Sequence, residues 1–213
     1  MKSKKTIYLD NEKREEMMAD LEPHKGCYYS KNPLQKKLHW ERVRNIKKLC
    51  GVIKDKKILD VGTGDGFMLR ELKCKKLYAI DISKKRCMRA RKIVPHANIS
   101  IQDMHKTNFK DNSFDGIICA DVLEHVTNID IAIKELLRIT KKGGFIVVCV
   151  PNQIVYLILR AIFLKFPLNP DHINSITPNS IIRLFKLKPI KSCNIPNFSY
   201  PFCINQLYKF TKM

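Results

Sequence analysis

Lys57-Ile58-Leu59-Asp60-Val61-Gly62-Thr63-Gly64-Asp65-Gly66-Phe67 reads as a buried strand, a glycine-rich turn and the start of a helix. Ile58, Leu59 and Val61 form the short apolar run expected of a parallel strand covered on both faces. Gly62, Gly64 and Gly66 alternate through the turn. Glycine adopts backbone angles that a Cβ forbids and lets a ligand lie against the main chain. Phe67 to Leu72 has helical spacing, with its first N–H groups directed back into the turn.

Working outward, Leu77-Tyr78-Ala79-Ile80-Asp81 is a second short apolar strand that ends in an acid. Asp81 lies 21 positions after Asp60, close to the offset of about 20 expected for a carboxylate on ribose hydroxyls in a doubly wound fold. The pattern is G-x-G-x-G, not the dinucleotide G-x-G-x-x-G, and no G-x-x-x-x-G-K-[ST] is present. A nucleoside ligand without a phosphate chain fits best. Ser83 is placed to cap a helix over Lys84–Ile93, which Pro95 ends. Asn98 to Gln102 is a third strand, followed at once by Asp103 and Met104. Phe114 to Cys119 is a fourth, followed by Ala120-Asp121-Val122-Leu123-Glu124-His125. Asn128 is placed to cap a helix over Ile129–Ile139, Gly143-Gly144 is expected to stop it, and Phe145 to Val150 is a fifth strand.

The repeat strand–helix–strand calls for a parallel sheet with helices on both faces, and right-handed crossovers place every strand's carboxyl end on one rim. Asp60 to Gly66, Asp81, Asp103 and Ala120 to His125 are all expected on that rim. Thr177-Pro178 is a helix start with cap and first-turn proline, and Lys188–Ile195 and Ile204–Phe210 read as the last two strands. Leu34 to Cys50 is an amphipathic helix that begins at Pro33. Its Arg42 and Arg44 are expected on a solvated face.

The segments ILDVGTGDG (58–66), AIDIS (79–83), IQDM (101–104), FDGIICADVLEHV (114–126) and LLRITKKGGFIVVCVPN (136–152) resemble, in order and spacing, the class I S-adenosylmethionine-dependent methyltransferases. The likeness runs from about Lys54 to Asn152 and is of the small-molecule or lipid type, similar to the ubiquinone-pathway methyltransferases. It implies an α/β, Rossmann-like doubly wound sheet of seven strands, mostly parallel with an antiparallel edge strand. Residues 1–50 would form an arm with cap helices, and 51–213 the methyltransferase domain. It implies S-adenosyl-L-methionine as methyl donor. The cofactor would be held by Asp60, Gly62, Thr63, Gly64, Gly66, Asp81, Ile82, Asp103, Met104, Ala120 and Asp121. Asp81 would take the ribose hydroxyls, Asp103 the adenine amino group, and the Met104 backbone the ring.

His125 is the candidate general base, since imidazole titrates near neutrality; capping a helix or packing on the ribose is its structural alternative. Some ubiquinone-pathway relatives hold a cation in an acid-x-x-Glu-His segment. Here Asp121 stands where Glu is usual, and no metal is expected. The segment after strand four lacks the Pro-Pro-aromatic pattern of DNA amino-methyltransferases, and Cys149, near Pro151, lies inside a strand. A small molecule or lipid precursor is therefore the leading acceptor. The alternatives are tRNA or rRNA and, without catalysis, a protein that binds the cofactor only.

The formal charge of +20 suits anionic partners, although lysines run from Lys2 to Lys212 in no single block. None of the eight cysteines forms a C-x-x-C pair, and the pattern suits a reducing cytosol. Met1 to Asp20 is charged throughout and does not read as a secretory signal. Asp10 to Leu21 reads as a short helix, and Tyr28-Tyr29 either as part of a lid or as packing for the arm. Ile154 to Phe166 is apolar apart from Arg160 and Lys165. It reads either as a core helix or as a peripheral contact with an anionic membrane beside the acceptor pocket.

Overall fold

The computed structural model describes residues 33–155, 158 and 174–213. The expected helix over Asp10–Leu21, the Tyr28-Tyr29 pair and most of the Ile154–Phe166 segment lie outside those residues.

Helix α1 (Pro33–Cys50) leads into β1 (Lys57–Val61), then α2 (Phe67–Arg70), β2 (Lys76–Asp81), α3 (Lys84–Ile93) and β3 (Asn98–Ile101). After these come β4 (Phe114–Ala120), a 3-10 turn (Leu123–His125), α4 (Ile129–Ile139) and β5 (Thr140–Pro151). Helix α5 (Pro178–Phe185), β6 (Lys191–Ile195) and β7 (Asn205–Thr211) complete the described elements. The seven strands form one sheet in the order β3-β2-β1-β4-β5-β7-β6. Strands β1 to β5 pair in parallel. Strand β7 runs antiparallel to both β5 and β6, so the reversed strand lies one place in from the edge and β6 points the same way as β5.

Alternation along each strand divides the core into two layers. Ile58, Leu77, Ile118, Val147 and Leu207 pack with Val43 and Ile46 of α1, Leu69 of α2 and Ala90 of α3. Leu59, Ile80, Ile117, Val148 and Phe210 pack on the other face with Ile133 and Leu136 of α4 and Phe185 of α5. Phe185 stacks on Phe210 with ring centroids 4.2 Å apart.

Local signals in the sequence are matched closely. The Ser83 side chain accepts the Arg86 N–H at the start of α3. Thr177 and Ser180 form a reciprocal capping box at α5, with Pro178 just inside. Three expectations are corrected. Gly143-Gly144 does not stop α4: the helix ends at Ile139, where the Thr140 hydroxyl donates to the Leu136 carbonyl at 2.6 Å. The two glycines lie inside β5, next to a register shift between β4 and β5, and Gly143 donates its N–H to Lys212. Asn128 holds the first position before α4 through its carbonyl, which accepts from Ile131 and Ala132, and not through its side chain. Arg42 does not lie on a solvated face. The helix turns it inward, and it pairs with Asp121.

Candidate active site

The turn after β1 is built from main chain and held by buried acids. Gly62, Gly64 and Gly66 all have positive φ, at 67°, 57° and 85°. Gly62 and Thr63 donate their N–H groups to the Ile80 carbonyl, at 2.8 and 3.1 Å, which hangs the turn on the end of β2. A Cβ on Gly62 would meet Val122 Cγ2 at 2.4 Å, so the loop after β4 closes directly onto the turn. A Cβ on Gly66 would sit 3.1 Å from Ala90, where α3 approaches.

Three carboxylates surround this turn. Asp81, 4% exposed, accepts the Gly64 N–H at 2.8 Å and the Ser83 N–H at 2.9 Å. Asp65 accepts from Arg89 Nε at 2.7 Å and ties the turn to α3. Asp60, 2% exposed, accepts the Thr63 hydroxyl at 2.8 Å. Burial pushes its carboxyl up to about 7; the Thr63 hydroxyl opposes that push and the nearby Asp81 charge adds to it. Asp60 thus shapes the turn from beneath. Asp103 sits differently, half-buried just after β3, and accepts the His105 N–H at 2.9 Å. Burial alone would raise its carboxyl, but the hydrogen bonds from His105 outweigh that and hold it below the usual range. Met104 beside it is buried.

The loop after β4 completes the rim. Ala120 ends the strand and is half-buried. Asp121 follows at φ 55°, a left-handed angle that a side chain adopts only when held. Arg42 reaches across from α1 to hold it, and the Asp121 N–H donates to the Cys149 carbonyl at 2.9 Å. His125 closes the 3-10 turn with its ring partly exposed, its Nε2 4.0 Å from Glu124 Oε1. Glu124 points inward. Burial pushes its carboxyl up to about 8 against the pull of its own backbone and of Arg42, and its Oε2 has no hydrogen-bond partner among the described residues.

All the expected positions, Asp60 to Gly66, Asp81-Ile82, Asp103-Met104, Ala120-Asp121 and His125, lie at or just beyond the carboxyl ends of β1, β2, β3 and β4 on one rim. Sequence reasoning missed two that hold it. Arg42, expected on a solvated face, is one. Asn174 is the other: its N–H donates to the Glu124 carbonyl, and its Nδ2 donates to Leu123 at 3.0 Å and Val126 at 2.5 Å. An asparagine ahead of a helix cap carries no signal of such a distant partner. A cleft of about 440 Å³ opens beside Asn174, between Ile129, Ile176, Arg183 and Leu184. Among the described residues, no group of three His, Cys, Asp or Glu is placed to hold a metal ion.

An open sheet of this order, with a glycine turn after β1 and acids after β2 and β3, is the Rossmann-like architecture of the class I methyltransferases. Residues 59–148 match the family model described as a methyltransferase domain. A demethylmenaquinone methyltransferase of Streptomyces avermitilis is 26% identical over 125 residues, 58% of this chain and 54% of that protein. A ubiquinone/menaquinone biosynthesis C-methyltransferase of Chromobacterium violaceum is 34% identical over 106 residues, 44% and 42% of the two chains. The chain spans about half the length of the curated relatives it matches. Among solved structures, the N-methyltransferase NodS of Bradyrhizobium japonicum in complex with S-adenosyl-L-homocysteine shares the fold. Its TM-score is 0.63 at 18% identity, covering 86% of this chain and 89% of that one.

Proposed function

We propose that this chain is an S-adenosylmethionine-dependent methyltransferase that moves a methyl group to an O, N or C atom of a small molecule or lipid precursor. The convergence of the glycine turn, Asp81, Asp103 and the Asp121–His125 loop on one rim carries this reading. The residues fit the cofactor: a Cβ-free turn gives close approach, and two acids stand at the carboxyl ends of adjacent parallel strands. S-adenosylmethionine, when bound, supplies a sulfonium methyl group already activated for transfer.

The chain's own part is to bind and orient. Asp81 takes the ribose hydroxyls while its backbone bonds keep it in place. Asp103 and the Met104 backbone take the adenine. Gly62 to Gly66, with Thr63 and Asp60 beneath, seat the methionine end against Ala120 and Asp121, and Ile82 flanks the ribose. His125 Nε2 accepts the proton when the acceptor is a hydroxyl or a protonated amine. The demethylmenaquinone and ubiquinone/menaquinone names of the relatives support a quinone-type acceptor, and an acceptor of that kind suits a protein working at the surface of an anionic membrane.

Titration calorimetry on the purified protein tests the cofactor, with binding of S-adenosylmethionine and S-adenosylhomocysteine expected. Binding by neither would turn the reading to a protein that keeps only the fold. A radiolabelled methyl-transfer assay on fractionated cell extract tests the acceptor, with label expected in the lipid or small-metabolite fraction. The charge of +20 favours one second reading, a tRNA or rRNA acceptor. Label in RNA, with binding that weakens steeply as salt rises, would establish it instead.

A further inference from the structure

The acceptor side of the rim differs from the cofactor side in what it shows to water. Strand β6 ends at Ile195, pointing the same way as β5, so the loop 196–204 lies on the same rim as the proposed cofactor site. In that loop Phe198 is 59% exposed and Phe202 73% exposed. The loop is held, so the exposure is built in. Phe198 N–H donates to Pro196 and Phe202 N–H to Ser199. Asn194 Nδ2 donates to Phe198 at 2.9 Å, and Asn152 Nδ2 donates to Pro201 at 2.6 Å and Cys203 at 2.9 Å. Asn152 itself follows the end of β5, and Ile154 and Ile158 just beyond it are 45% and 52% exposed. Both are helical. Four large apolar side chains therefore face water around one clasp.

Cationic side chains share that rim. Helix α1 packs on β6 and β7. It runs down to the amino end of β1, so its first turns lie at the rim. Those turns hold no acid, and Lys36 and Lys37 there are exposed. Exposed apolar side chains on a rim that also carries exposed lysines suit a surface that is greasy inside and anionic outside.

We infer that Phe198 and Phe202, with Ile154 and Ile158 and the Lys36-Lys37 turn, form the face by which this protein docks on an anionic lipid bilayer. Docking there turns the acceptor side of the rim toward the lipid. The inference rests on the proposed lipid-like acceptor for its purpose, but its evidence is the surface itself.

Co-sedimentation with vesicles tests it. The full chain is mixed with vesicles of phosphatidylcholine alone and of phosphatidylcholine with phosphatidylglycerol, at low and high salt. Binding is expected to the anionic vesicles, weakening as salt rises. The double variant Phe198→Ser with Phe202→Ser should lower that partitioning by about tenfold or more, because two large apolar groups no longer enter the bilayer. It should leave the melting temperature and the calorimetric affinity for S-adenosylmethionine unchanged. Lys36→Gln with Lys37→Gln should lower anionic binding and flatten its salt dependence. No binding of the parent protein to anionic vesicles overturns the inference. So does equal binding by the Phe variant, or tight binding to a tRNA mixture with none to vesicles. Vesicle binding that depends on the phenylalanines, in a protein that does not bind S-adenosylmethionine, keeps the docking face and sinks the enzymatic reading.

Discussion

The rim has two halves made by opposite means. In the first, after β1, β2 and β4, polar groups are buried and fixed: Asp60, Asp65, Asp81 and Glu124 are each almost fully covered, and glycines bring the main chain together. In the second, after β5 and β6, apolar groups are exposed: Ile154, Ile158, Phe198 and Phe202 face water on a backbone whose own hydrogen bonds are met. Each arrangement is unfavourable by itself, since burying carboxylates and exposing aromatic rings both cost free energy. On the proposed function the buried half surrounds a ligand of fixed shape, and on the inferred docking the exposed half meets a lipid surface.

If this contrast is right, the two halves respond to substitution very differently. The largest loss should follow Gly62→Ala. It places a side chain at φ 67° and drives a Cβ into Val122. The left-handed angle and the overpacking together should cost about 3–4 kcal/mol in urea unfolding, and S-adenosylmethionine binding should be lost. A Gly62→Ala protein as stable as the parent would break the picture of a turn closed by the loop after β4.

Next comes pH. The ordinary Glu value of 4.5 is raised to about 8 at Glu124 by burial, so the folded state holds a proton that the unfolded chain releases. That contribution is fully present below about pH 4.5 and is lost as pH rises through about 8. Glu124→Gln cannot titrate. Relative to it, the parent should lose on the order of 3 kcal/mol between pH 5 and pH 8. Parallel stability curves for the two proteins across that range would show that Glu124 is not held in its buried neutral form.

Asp81→Ala strands the Gly64 and Ser83 N–H groups beneath the turn, so it should cost about 2 kcal/mol as well as lower S-adenosylmethionine affinity. Equal cofactor affinity in calorimetry would remove the ribose role from Asp81. The smallest effect on folding should come from the exposed half. Phe198→Ser with Phe202→Ser should change stability by less than about 0.5 kcal/mol, because neither ring is part of the core. A large loss of stability there would mean that the two halves of the rim are not built differently.

Much of the first half was legible in the sequence. Alternating glycines, an acid at the end of each of two apolar runs, and Ser83 and Thr177 before helices are local patterns with local causes. Backbone angles, strand period and caps depend on residues a few places apart. The shared rim of β1 to β5 followed from the handedness of crossovers, while their order in the sheet came only with the structure. Gly143-Gly144 was misread because Thr140 ends α4 with its own hydroxyl three residues earlier, and a glycine pair inside a strand resembles a helix stop.

The sequence by itself determined the sheet, the glycine turn and the acids at the strand ends, because each rests on chirality, period or the lack of a Cβ. Only the tertiary structure decided how these are locked. Arg42 meets Asp121, Asn174 clasps the 3-10 turn, Asn152 holds the loop 196–204, and Glu124 turns inward. Those partners lie far apart along the chain, and no local preference selects one Arg or Asn over another. The exposure of Phe198 and Phe202 was equally out of reach. A phenylalanine has the same local preferences in a core as on a surface, and only the packing of the whole chain leaves these two uncovered.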